Sequence, residues 1–172
     1  MNKMKFYGKD GVAHSQKTTE WETPQELFNK LNKEFNFTIA VCATKENAKC
    51  LRYYDIKING LAQSWKNEVV FMNPPYGKNL NKWIEKAYRE SANGAVVVCL
   101  IPSRTDTSYW HNYIIPYAET RFLRGRLKFK LSSENSNYIE QLGFFEEDNI
   151  KYSNNDISEA WAPFPSAVVI FK

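Results

Sequence analysis

Two histidines and three cysteines in 172 residues leave little from which to build a metal centre. Cys42, Cys50 and Cys99 are odd in number and lack metal-ligand spacing, so the expectation is buried, reduced thiols in a cytoplasmic protein. No apolar run approaches the roughly 20 residues that a membrane helix needs, so a membrane partner is not expected. The opening stretch MNKMKFYGKDG carries basic residues but no apolar core of a secretory signal. No internal repeat or low-complexity tract occurs. What remains is an ordinary globular composition, 43% hydrophobic and 24% charged, at a length that fits one domain.

The net charge of +4 conceals an uneven distribution. Residues 131–161 hold seven acidic residues and one basic one, so that segment is −6 and the rest of the chain is +10. A basic body fits a polyanion-binding protein, although Lys-rich surfaces also occur simply because they are well solvated.

Along the chain, residues 1–20 lack periodicity and read as a flexible N-terminal arm, with one domain over 21–172 and an acidic insertion at 131–161. TPQELFNKLNKEF (23–35) predicts a helix capped by Thr23, with Pro24 at its first position and Leu27, Phe28, Leu31 and Phe35 on one face. FTIAVCA (37–43), EVVFMN (68–73) and AVVVCLIP (95–102) are apolar runs of the kind that strands buried on both faces show. The amphipathic stretch 79–92 between the last two makes a βαβ unit with parallel strands. TSYWHNYI (107–114) predicts another helix, TRFLRG and RLKFKL a turn-linked pair of strands, and SAVVIFK a final strand. The fold class expected is α/β, a single Rossmann-like domain with a largely parallel central sheet. In such sheets ligands sit beyond the carboxyl ends of the strands.

That edge is where Asn73-Pro74-Pro75-Tyr76 falls. An exocyclic amino group on an aromatic base is a poor nucleophile, because its lone pair is delocalised into the ring. Two acceptors gripping its hydrogens would draw the nitrogen toward tetrahedral geometry. The Asn73 side-chain oxygen and the Pro74 carbonyl are suitable, and two prolines stiffen the loop that presents them. Tyr76 offers a flat face for a base, a contact worth about 1–3 kcal/mol. A base reaching this site must leave its duplex. The same four residues could equally be a strand-ending turn with a packed tyrosine.

With its neighbours, the motif resembles the phage-type DNA N-6-adenine methyltransferases. The resemblance runs from about Trp21 to the C-terminus, outside 131–161. It rests on WETPQELFNKLNKEFNFT, VCATKENAKC, NGLAQSW, VVFMNPPYGKNLNKWIEKA, IPSRTDTSYWH, FLRGRLKF and APFPSAVVIF. It implies a methyltransferase sheet, S-adenosylmethionine as methyl donor, double-stranded DNA as partner, no metal and no covalent intermediate. It also implies an origin in phage or prophage, with Asn73, Pro74, Pro75 and Tyr76 as the catalytic loop holding a flipped adenine. By position, Thr23 and Pro24 resemble the segment that meets the methionine end of the cofactor. Ala40, Val41, Cys42 and Ala43 stand at the first cofactor motif, and Asn59 at a cofactor-proximal place. Phe71, just upstream of the loop, is expected in the core.

Two positions depart from the family pattern. Ala40 and Asn59 stand where carboxylates are usual, and losing one charge-assisted hydrogen bond costs roughly 1.5–3 kcal/mol. Asp55 and Glu46, near in sequence, are candidate replacements. A cofactor-impaired DNA-binding protein is therefore a second reading, and amide methylation of a protein substrate a third. For DNA, Arg104 after the third strand either meets a phosphate or pairs with Asp106. Arg121, Arg124, Arg126 and Lys128 form either a stripe for a phosphate backbone or a solvated basic face.

Overall fold

The computed structural model describes residues 22–130 and 159–172. The N-terminal arm and nearly all of the acidic segment lie outside them. Helix α1 spans Gln25–Phe35, and strands β1 Ile39–Ala40 and β2 Val69–Met72 follow. Next come α2 Leu80–Ala92, β3 Val96–Pro102, a π-helical turn Trp110–Ile114 running into α3 Ile115–Tyr117, and β4 Glu119–Phe122. The remaining strands are β5 Lys128–Lys130, β6 Glu159–Trp161 and β7 Ser166–Phe171.

Five strands form one mixed sheet in the order β1-β2-β3-β7-β4. The β1–β2 and β2–β3 pairs are parallel, as a βαβ crossover through α2 requires, while β7 runs antiparallel between β3 and β4. Four of the five strands thus point the same way, and the sheet is parallel only up to β3.

The continuous apolar runs reflect burial on both faces. Val70, Met72, Val97, Cys99 and Ile101 pack with Trp83, Ile84 and Ala87 of α2 and with Trp110 and Ile114. The alternate set, Phe71, Val98, Leu100, Val168 and Ile170, packs with Phe28 and Leu31 of α1. Period-two alternation along each strand divides one apolar sequence between two cores.

Two local expectations are corrected. Thr23 does not cap α1: Pro24 occupies the cap position, no side-chain cap bond forms, and the Thr23 hydroxyl is used elsewhere. TRFLRG and RLKFKL are strands but not partners. β4 pairs with β7, and β5 pairs with β6 in a separate two-stranded sheet. The apolar residues of this stretch are accordingly not all turned inward. Phe122 is exposed and stacks on Trp110 with ring centroids 6.0 Å apart, whereas Arg121 is half-buried.

Because β4 is antiparallel to β7, which is antiparallel to β3, the β4 carboxyl end lies at the same sheet edge as those of β2 and β3. Register agrees: Phe122 faces Ala167 and Pro102 faces Ser166. The fold therefore gathers Asn73–Tyr76, Ser103–Thr107 and Leu123–Leu127 along one edge.

Candidate active site

Beyond the last residue of β2, Asn73 is half-buried, Pro74 buried, and Tyr76 only 8% exposed. The Asn73 Nδ2 donates to Thr23 Oγ1 at 3.0 Å, and the Tyr76 hydroxyl donates to Asn73 Oδ1 at 2.7 Å. The same hydroxyl lies 3.2 Å from the Leu100 carbonyl of β3. Tyr76 meets Phe164 edge-on, with centroids 5.4 Å apart and planes at 80°. Burial holds the Tyr76 phenol well above its ordinary pKa, so it remains a donor. The ring expected to offer a stacking face is therefore packed away in this conformation and acts through its hydroxyl.

Beside the loop lies a cavity of about 450 Å³, within the range of roughly 300–1,000 Å³ usual for small-molecule sites. Its wall includes Thr23, the whole run Ala40–Ala43, Asn59, Phe71, Asn73 and Pro75. Residues far apart in sequence are brought together here, because parallel β1 and β2 end side by side. Pro24, Pro74 and Tyr76 do not line it. Phe71 belongs to both core and wall, packing edge-on against Phe28 at 5.1 Å.

The segment before Asn59 is shaped by Asp55. One oxygen of that carboxylate accepts the backbone N–H groups of Lys57 and Ile58 at 3.0 and 2.9 Å, closing a tight turn. Asn59 then takes a left-handed conformation with φ of 57°, and Gly60 runs against β1. A Cβ at Gly60 would stand 2.1 Å from the Val41 carbonyl oxygen, so only glycine fits. Trp65 Nε1 donates to the Gly60 carbonyl at 3.0 Å and completes the anchor.

Ala40 and Asn59 leave their stretches of wall uncharged, but other residues carry charge to the cavity. Asp55 lines it and Glu46 does not. Glu22 and Lys49 also line it, joined by a 2.8 Å ion pair between side chains that are 29% and 13% exposed. Sequence reasoning missed this pair. Nothing in residues 27 positions apart marks them as neighbours. Cys42 reaches the wall as well; burial raises its thiol pKa, opposed by the Asn73 backbone N–H on its sulfur. Burial likewise pushes Cys50 up to about 11. Both thiols are protonated at neutral pH and are poor nucleophiles.

Among the cations expected to meet DNA, Arg121 is already engaged. It donates to both carboxylate oxygens of Glu34 at 2.7 Å, reaches Glu119, and lies over Phe35 at 5.6 Å. Its ordinary role is to pin β4 to α1. Arg104, Arg124, Arg126 and Lys128 are exposed. Arg104 follows β3, and Arg124 and Arg126 follow β4, at the edge that carries Asn73.

A protein from Escherichia coli (strain K12) named "Putative methyltransferase YfdM" is 34% identical to this chain over 64 residues, an alignment covering 33% of this chain and 70% of that protein. The sequence profile of the DNA N-6-adenine-methyltransferase (Dam) family matches residues 12–162, which includes the acidic segment and part of the expected arm. An asparagine-led loop at the end of a buried strand, opening on a cavity walled by the neighbouring strand, thus stands in a chain that belongs to the DNA N-6-adenine-methyltransferase (Dam) family.

Proposed function

We propose that the protein transfers a methyl group from S-adenosylmethionine to N6 of adenine in double-stranded DNA, with the target base flipped out of the duplex. The observation that carries this reading is the position of Asn73, shared between the rigid Asn73–Tyr76 loop and the wall of the cavity.

The lining fits such a cofactor. Asp55 and Glu22 offer carboxylates and Lys49 a cation for an amino-acid zwitterion and a ribose, while Val41, Ile56, Phe71 and Trp83 offer apolar surface for a base. When bound, S-adenosylmethionine supplies an electrophilic methyl group. The protein's own part is to present the nucleophile. Asn73 Oδ1 and the Pro74 carbonyl accept the two N6 hydrogens, which favours pyramidal nitrogen and leaves its lone pair directed at the donor. Both acceptors are neutral, and the surplus proton leaves to water. A preorganised acceptor of this kind is worth about 100- to 1,000-fold in rate. Arg104, Arg124 and Arg126 supply phosphate contacts along the same edge, Lys128 adds one from β5, and Arg121 supports them structurally.

The test is transfer of labelled methyl from S-adenosylmethionine to duplex DNA. Incorporation that disappears in Asn73→Ala supports the reading, and no incorporation into any duplex overturns it. One observation favours a second reading, a methyltransferase fold that binds DNA without turnover: neither Ala40 nor Asn59 brings charge to the cavity. Calorimetry separates the two, since DNA binding without cofactor binding is expected only of the second.

A further inference from the structure

Building on the assignment of Asn73 as holder of the substrate amino group, we propose that the hydroxyls of Thr23 and Tyr76 are positioning groups. Together they fix the Asn73 carboxamide from both ends, with Nδ2 at Thr23 and Oδ1 at Tyr76.

An asparagine amide has two faces of opposite sense. Its oxygen accepts, and its nitrogen only donates. Rotated by half a turn, Asn73 would set a donor against the N6 hydrogens and could not hold them. In the structure Tyr76 Oη donates to Oδ1 at 2.7 Å and Nδ2 donates to Thr23 Oγ1 at 3.0 Å, so the carboxamide is held at both ends and losing either hydroxyl frees it to turn. An amide oxygen has two lone pairs, so the tyrosine hydroxyl on one does not bar a second donor.

Both hydroxyls are themselves held. Thr23 is 4% exposed, and the preceding Glu22 is tied to Lys49 in the cavity wall. Tyr76 is wedged between Leu100 of β3 and the edge of Phe164. Thr23 belongs to a Thr-Pro sequence whose simplest local reading is a helix cap, yet its hydroxyl reaches 50 positions along the chain to the catalytic loop. A residue that abandons its local cap for a distant amide has its hydroxyl committed to that amide. Tyr76 acts here through its oxygen, which separates this proposal from a role in base stacking.

The experiment compares Thr23→Val, Thr23→Ser and Tyr76→Phe with the natural protein. It reads kcat for DNA methylation, the S-adenosylmethionine dissociation constant by calorimetry, and the Asn73 side-chain amide resonances by NMR. Thr23→Val and Tyr76→Phe are each expected to lower kcat by about 10- to 100-fold, and in Tyr76→Phe, whose side chain does not line the cavity, the dissociation constant stays within about twofold. Thr23→Ser, which keeps the hydroxyl, should restore most of the rate. Unchanged kcat in either Thr23→Val or Tyr76→Phe overturns the two-sided clamp. So does a Tyr76→Phe loss fully accounted for by weaker cofactor binding. If the natural protein methylates no DNA, the functional reading fails separately and the resonances decide. Asn73 signals that shift in Thr23→Val and Tyr76→Phe but not in Thr23→Ser support the clamp, and unmoved signals overturn it.

Discussion

The two ends of β2 are each tied down by a small polar network, and they differ in nearly every physical respect. At the amino end, Glu68 accepts from Arg52 at 2.8 and 3.1 Å and from the Thr38 hydroxyl at 2.5 Å. Thr38 also pairs its backbone with Val69 at 2.8 Å. This network is charged, and its arginine is exposed to solvent. At the carboxyl end, Thr23, Asn73 and Tyr76 form a network that is neutral and largely buried. Water competes with the first and screens it; little water reaches the second. A solvated ion pair can be lost at small cost, whereas a buried amide that loses a partner has nowhere to turn. The difference makes the carboxyl end of β2 the place where side-chain geometry is held most tightly.

The largest effect expected of breaking this contrast is on activity. Asn73→Ala should reduce methyl transfer by at least about 100-fold, measured with labelled S-adenosylmethionine, and should lower stability by about 1–3 kcal/mol because buried Thr23 and Tyr76 lose a partner. Transfer persisting near the natural rate would remove Asn73 from the chemistry. Gly60→Ala attacks the cavity wall between the networks. The new methyl group cannot share space with the Val41 carbonyl, and the fold should lose about 2–3 kcal/mol in urea titrations. A next, smaller effect concerns cofactor affinity. Asp55→Asn should weaken S-adenosylmethionine binding about tenfold and Ala40→Asp should strengthen it about tenfold, both by calorimetry. An unaffected Asp55→Asn would show that the missing carboxylates are not replaced from that turn.

The smallest effect belongs to the solvated end. Arg52 first, and Thr38 next, hold the Glu68 carboxyl below its ordinary range. A depressed native value means that the contribution is present above the unfolded-state pKa and is lost as pH falls through the folded one. Glu68→Gln should therefore move the urea midpoint slightly at neutral pH, less than Gly60→Ala does, and the difference should vanish in acid. The methylation rate should not change. A large rate loss would mean that the two ends of β2 are coupled.

Much of this was legible in the chain. The apolar runs of β2, β3 and β7 and the amphipathic α2 could be read directly, because burial on two faces and helical spacing each leave a local pattern. The position of Asn-Pro-Pro-Tyr at the end of β2 was legible for the same reason, because the loop and its strand are contiguous. The hairpin at 120–130 was misread because two adjacent β-type runs carry no mark of which partner each will take. Thr23 was misread as a cap because local propensity is silent about a better partner 50 residues away.

Residue order alone specifies the mixed α/β class, the proline-stiffened loop after β2 and membership of the family. Those depend on residue type, order and short-range spacing. Folding in three dimensions adds the bond from Asn73 to Thr23, the inward packing of the Tyr76 ring and the charge that Glu22, Lys49 and Asp55 bring to a cavity flanked by Ala40 and Asn59. Each of these is a contact between distant positions, created when parallel strands end at a common edge, and no local pattern encodes it.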